Sequence, residues 1–186
     1  MTALQHNGGL FDGKLWGRWI GTFIGFPLAG VAARAVAGSI DSASAATLGG
    51  LAGGAVLGAV QSLALRTDAG RRVAWAAATA VGMGGGLLAG ASTVGYRTDA
   101  PSLAVMGALT GIGVGFLQAA VLPSSLVRRA MWALVTPMLW ALGWLVTSQV
   151  IVDAERQHAN FGASGALLAT VIGGLVLAAQ PEATER

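Results

Sequence analysis

The chain has 186 residues, of which 54% are hydrophobic and only 10% charged, against roughly 25% charged in a soluble domain. It contains no cysteine, which excludes a disulfide framework, a thiolate nucleophile and a cysteine-based metal centre. The net charge is +3 and the pI about 10.6, but the arginines fall between long apolar runs, as positive-inside membrane topology requires and a nucleic-acid footprint does not.

Residues 1–14 read as a polar cytoplasmic tail carrying His6, Asp12 and Lys14. The first membrane span is predicted near 16–38, with Pro27 inside it; membrane helices tolerate such a proline. Lys14 and Arg18, an apolar run and Ala35-Val36-Ala37 together resemble a signal peptide with its cleavage site. Arg34 interrupts that run, and removing the segment would break the repeat described below, so it is read as a retained span. Arg34 is also the one basic residue well inside a span. Such a residue is a candidate functional group, against the simpler reading that it snorkels to the interface one turn away.

Spans two to six are predicted near 46–65, 73–95, 102–122, 130–151 and 161–180, each close to the ~20 apolar residues that a bilayer core demands. A repeat runs through them. Gly50, Gly54, Gly58, Gln61, Arg71, Arg72, Trp75, Thr79 and Gly86 recur as Gly107, Gly111, Gly115, Gln118, Arg128, Arg129, Trp132, Thr136 and Gly143, at a constant offset of 57 from Gln61 to Gln118. At about 100° per residue the three glycines and the glutamine of each copy share one helix face. A partial third copy reads Gly165, Ala169 and Gly173, with Val176 in place of glutamine, and Trp19 with Gly30 opens the chain as Trp75 and Gly86 open their helix. Thr22, however, is three residues after Trp19 rather than four. The expected fold is therefore an all-α, polytopic bundle of six transmembrane helices. They form three two-helix hairpins (15–66, 71–123 and 128–181) with pseudo-threefold symmetry, in one domain over 15–181, followed by a cytoplasmic tail at 182–186.

Orientation follows from charge. Lys14, Arg18, Arg66, Arg71, Arg72, Arg128, Arg129 and Arg186 fall on one side, and Arg34, Arg97 and Arg156 on the other. The first side is expected to be cytoplasmic, with both termini inside. Asp41, Asp99 and Asp153 would then lie in short outer loops as solvated residues.

The ladders of Gly50, Gly54, Gly58, Gly107, Gly111, Gly115, Gly165 and Gly173 predict close helix approach, and Gln61 and Gln118 on the same face predict interhelical hydrogen bonds. No phosphate loop is present, because no strand precedes and no Lys-Ser/Thr follows. Asp153, Glu155 and His158 are a sparse candidate metal set in one loop. Gly162-Ala163-Ser164-Gly165 resembles the G-x-S-G nucleophile motif of rhomboid intramembrane proteases over those four residues. The histidine base expected on a later span is absent, and Ser164 is read as structural. Three two-span repeats are also the plan of mitochondrial carriers, but their P-x-[DE]-x-x-[KR] motif is missing. Small six-span substrate-capture subunits of vitamin transporters share size and topology only.

On the G-x3-G-x3-G-x2-Q unit followed by R-x3-W, the whole chain resembles a group of Gly- and Ala-rich six-span bacterial membrane proteins, and that resemblance implies no activity. The expectation is a non-enzymatic protein of the bacterial inner membrane, without cofactor, packing with the lipid bilayer and with another membrane protein or a second copy, as an accessory or scaffold subunit. A small-solute or lipid transporter subunit is the alternative.

Overall fold

The computed structural model describes residues 12–150 and 158–179. His6, Asp153, Glu155, Arg156 and Arg186 lie outside the described residues. The helices are α1 (Gly13–Gly21), a 3-10 turn (Thr22–Ile24), α2 (Gly25–Ala37), α3 (Ala43–Ser62), α4 (Ala69–Thr93), α5 (Ala100–Val121), α6 (Leu126–Val150) and α7 (Ala163–Ala178). α1, the turn and α2 form one rod. That rod and α3 to α6 are five segments long and apolar enough to cross a membrane, whereas α7 has 16 residues. Each rod packs on the next in chain order, and α1 packs against α7, so the rods close into a ring.

Short side chains start the helices. The Asp12 carboxylate accepts from the N–H groups of Lys14 and Leu15, so α1 begins at Gly13, ahead of the predicted start. The Ser42 hydroxyl caps α3, Asp68 caps α4, and Asp99 caps α5 through both the N–H and the hydroxyl of Ser102. Asp99 is thus a helix cap as well as a loop residue. The Ser102 hydroxyl, then its N–H, holds the Asp99 carboxyl below its ordinary range, and the Arg71 N–H does the same for Asp68. Both folded values lie below the unfolded one. Their stabilising contribution is therefore complete above the usual carboxylate range and is lost as the pH falls through the lowered value.

Small residues make the closest helix contacts, around buried large side chains such as Leu57, Met83 and Trp140, and large aliphatics also cover much of the exterior. Gly50, Gly54 and Gly58 face α4: a Cβ at these positions would meet Gly84 Cα at 2.7 Å, the Thr79 carbonyl at 2.7 Å and Ala76 Cα at 2.8 Å. Gly107, Gly111 and Gly115 meet α6 in the same way, at the Trp140 carbonyl (2.6 Å), Pro137 Cα (2.7 Å) and Thr136 Cβ (2.8 Å). Gly82, Gly86 and Gly90 of α4 in turn lie against the α5 backbone at Gly113, Thr110 and Met106. Meanwhile Val31, Val73, Leu134 and Met138 are exposed. In lipid, where apolar side chains gain nothing by hiding from the solvent, close backbone packing is what draws helices together.

Two local departures from the expected spans have physical causes. The rod's 3-10 turn sits where Thr22 follows Trp19 by three residues, and the Thr22 hydroxyl donates to the Trp19 carbonyl at 2.7 Å. The corresponding threonines, Thr79 and Thr136, bond the tryptophan carbonyl four residues back. Tighter winding thus absorbs the missing residue. The predicted sixth span, 161–180, begins as helix only at Ala163. Ala159, Asn160 and Phe161 ahead of it are non-helical and buried. Asn160 Nδ2 donates to the Phe26 carbonyl at 2.8 Å, and the Phe161 ring packs against Trp140, Phe26 and Gly143. Irregular backbone is tolerated among membrane helices when it is buried in protein.

These contacts predict opposite outcomes for two glycines. Gly111→Ala drives a methyl into the Pro137 backbone and is expected to cost about 1–3 kcal/mol, the usual penalty of overpacking. A Cβ on Gly85 would meet nothing within 4 Å, so Gly85→Ala is expected to gain about 0.8–1 kcal/mol through helix propensity. Thermal unfolding in mild detergent, followed by size-exclusion retention, checks both.

Candidate functional site

Each of three helices carries a tryptophan on its second turn: Trp19 on α1, Trp75 on α4 and Trp132 on α6. Their rings meet as a triangle, with centroids 6.1 Å apart for Trp19–Trp75, 5.6 Å for Trp19–Trp132 and 6.0 Å for Trp75–Trp132. The first two pairs are edge-on, the geometry that the ring quadrupole favours.

The two ladder glutamines complete the cluster. Gln118 Nε2 donates to Thr79 Oγ1 at 2.7 Å and to Gln61 Oε1 at 3.1 Å. Trp132 Nε1 donates to Gln118 Oε1 at 2.9 Å, and Trp75 Nε1 to Gln61 Oε1 at 3.4 Å. Every polar atom of Gln118 is thereby used, and only 1% of the residue is exposed. Helical periodicity places the glutamines on the packing face. It does not reveal that each meets the tryptophan 14 residues later, which opens the next hairpin. The indole N–H groups are the partners that sequence reasoning misses, and the signal for them is the fixed glutamine-to-tryptophan spacing in both copies.

Trp19 Nε1 differs. It is buried and has no hydrogen-bond partner. α7 carries no glutamine, and its burial pattern shifts the expected register. The buried pairs of α5 run 106–107, 110–111, 114–115 and 118–119, and those of α7 run 165–166, 169–170, 173–174 and 177–178. Gly174 and Leu177, rather than Gly173 and Val176, thus fall in register with Gly115 and Gln118. A Cβ on Gly174 would meet Trp19 at 2.9 Å and Trp16 at 3.0 Å, whereas at Gly173 the nearest atom is 3.5 Å away.

Beneath the triangle is a cavity of about 20 Å³ open to the centre of a water molecule, lined by Trp19, Gln61, Gln118, Trp132, Thr136 and Thr170 among others. That is room for one water, which would need two to four polar partners. The lining holds hydrogen-bond donors and acceptors and no ionisable side chain, so hydrogen bonding is the chemistry the site offers.

The other candidates lie apart from this centre. Arg34 is exposed in the last turn of α2, one turn from the helix end, as snorkelling requires. Ser164 is in the first turn of α7. His158 lines shallow cavities with Asn160 and Tyr96. No group of three metal-ligating side chains occurs among the described residues. No protein-family model matches the chain, and neither a curated protein nor a solved structure does.

Two pairs of substitutions test the network. Gln118→Leu strands Trp132 Nε1 and removes two donated bonds, so it is expected to destabilise the protein by about 1–3 kcal/mol, more than Gln61→Leu does. Leu177→Gln supplies an amide in register with Gln118 and is expected to be tolerated, whereas Leu57→Gln, buried among apolar side chains, is not. Detergent-resistance melting curves of the four variants give the comparison.

Proposed function

We propose that this protein is a non-enzymatic, six-span membrane protein of the bacterial inner membrane, with both termini cytoplasmic, that acts as an accessory or scaffold subunit by docking against another membrane helix. The observation that carries this reading is a pair of glycines on the outside of the bundle. Gly17 and Gly21, one turn apart on α1, are exposed, and a Cβ at either would meet nothing within 4 Å. The ladder glycines of α3 and α5 are spent on internal contacts; these two are not. A small-x3-small face of this kind lets a partner backbone approach closely. Trp75 and Trp132, filling the middle with the two glutamines, favour a packed subunit over an open conduit.

The six-span, pseudo-threefold architecture is part of the same proposal. Its support is the recurrence of each glycine contact of α3 on α4 by α5 on α6 and the shared burial register of α7. α7 spans only about 24 Å at 1.5 Å per residue, and the buried segment before it would make up the remaining depth. A second reading, a small-solute or lipid transporter subunit, is favoured by one observation, the unpartnered indole N–H of Trp19, a residue that lines the central cavity.

Purification in mild detergent with mass spectrometry of co-purifying proteins separates the two. A stoichiometric partner, or a second copy, that is lost in Gly21→Leu supports docking. A monodisperse monomer that retains a small solute, released by Gln118→Leu, supports transport. Reporter fusions at residues 41 and 69 are expected to report opposite sides of the membrane, with residue 69 cytoplasmic; same-side signals would overturn the topology.

A further inference from the structure

The arginine-rich end of the bundle is not uniformly occupied. Arg129 is spent on the carbonyls of Ala119 and Ala120 at the end of α5, and Arg71 pairs with Asp68 at 3.4 Å. Arg18 and Arg128 differ: the Nε of each is buried with no hydrogen-bond partner. Both line a cavity of about 150 Å³ together with Arg66, Ser124, Asp12 and the leucines that form its floor, Leu15, Leu65, Leu122 and Leu177. Three arginines from three separate segments therefore line one space, with Asp12 the single carboxylate among its described lining residues. That carboxylate is already engaged, because Asp12 accepts the N–H groups of Leu15 and Lys14 as the cap of α1.

A buried, unpaired guanidinium donor is costly unless something occupies it. Here the two residues that carry such donors line, with Arg66, a space large enough for a tetrahedral oxyanion, over an apolar floor. We propose that this cavity binds a phosphate group, with Arg18, Arg66 and Arg128 donating to its oxygens and Ser124 available as a neutral donor. Planar guanidinium forks suit phosphate oxygens, and basic pockets between membrane helices take phospholipid head groups. The phosphate belongs either to an anionic lipid, whose glycerol end would lie against Leu15 and Leu122, or to a free phosphate compound. The site does not depend on the docking role proposed for Gly17 and Gly21, which lie outside its lining.

The test uses the full-length protein in neutral detergent, with inorganic phosphate and with mixed micelles of phosphatidylglycerol or phosphatidylcholine as probes. Binding is read by microscale thermophoresis and by native mass spectrometry of retained lipid. Saturable binding is expected for phosphatidylglycerol, for inorganic phosphate, or for both, and not for phosphatidylcholine. Binding of phosphatidylglycerol alone assigns the site to a lipid; competition by inorganic phosphate assigns it to a free compound. Arg18→Gln and Arg128→Gln are each expected to weaken binding by about tenfold or more, the cost of a lost charge-assisted bond. Arg128→Lys, which keeps the charge and the fold but loses the fork, should weaken it less. Arg72→Gln, at the same end but outside the lining, should leave it unchanged. The proposal is overturned by absence of saturable binding to either anionic probe, or by equal losses in Arg72→Gln and Arg128→Gln. It is overturned too if binding emerges only in Glu182→Gln/Glu185→Gln, since the pocket would then belong to the chain's own carboxylates.

Discussion

Backbone lying directly on backbone is the constraint that everything else in this bundle obeys. Gly50, Gly54 and Gly58 lie so near α4, and Gly107, Gly111 and Gly115 so near α6, that a Cβ at any of them would clash. The helices approach more closely than any side chain larger than hydrogen would allow. That closeness sets the width of the interior, which at one level is filled by three indoles and two amides. The polar network is a consequence. Once Gln61 and Gln118 are carried inward on the glycine face, their amides leave bulk water behind, and burial without partners would cost several kcal/mol in an apolar setting. The tryptophan N–H groups and Thr79 satisfy them. Packing and polarity are in this sense one device, because the glycines decide where the polar atoms go and the polar atoms fix the register of the glycines.

Much of this is legible in the residues because the two full copies share an offset. The glycine faces, the glutamines on them and the Arg-x3-Trp entry to the next helix all follow from periodicity, and the contacts recur at the same spacing. The long helices are legible for a coarser reason: lipid requires apolar length, and five segments have it. Legibility ends where periodicity fails. The missing residue after Trp19 is visible, but not that a 3-10 turn takes it up. Apolarity puts the start of the last helix too early because Phe161 resembles a span residue, while Asn160 beside it reaches back to a carbonyl 134 residues earlier in the chain, a partner no local pattern announces. In the last helix Gly165 lies on the Gly143 backbone while burial favours Gly174 over Gly173 toward α1, and composition alone cannot choose between such neighbours.

The arginines show a related limit. Counting them supplies an orientation, since topology responds to their number. Their individual roles depend on which carbonyl or carboxylate lies in reach. Arg128 and Arg129 are adjacent and alike in sequence, yet Arg129 closes the end of α5 and Arg128 faces an open cavity.

The contact between α1 and α7 has a consequence for how the chain is made. All the other large interfaces join segments that are neighbours in sequence, so each can form as soon as the second helix has been delivered into the membrane. The ring's seam joins the first helix to the last, tied at its edge by the Asp12 N–H donating to the Ala178 carbonyl at 2.9 Å. During synthesis, which proceeds from the N-terminus, α1 must wait in lipid for nearly the whole length of the chain before its partner exists. Throughout that interval the Trp19 N–H and the α7-facing side of α1 are open to whatever is nearby. The seam is thus the last interface to close in every round of biogenesis, and the point at which a membrane insertase or chaperone holding the unfinished ring would have to let go.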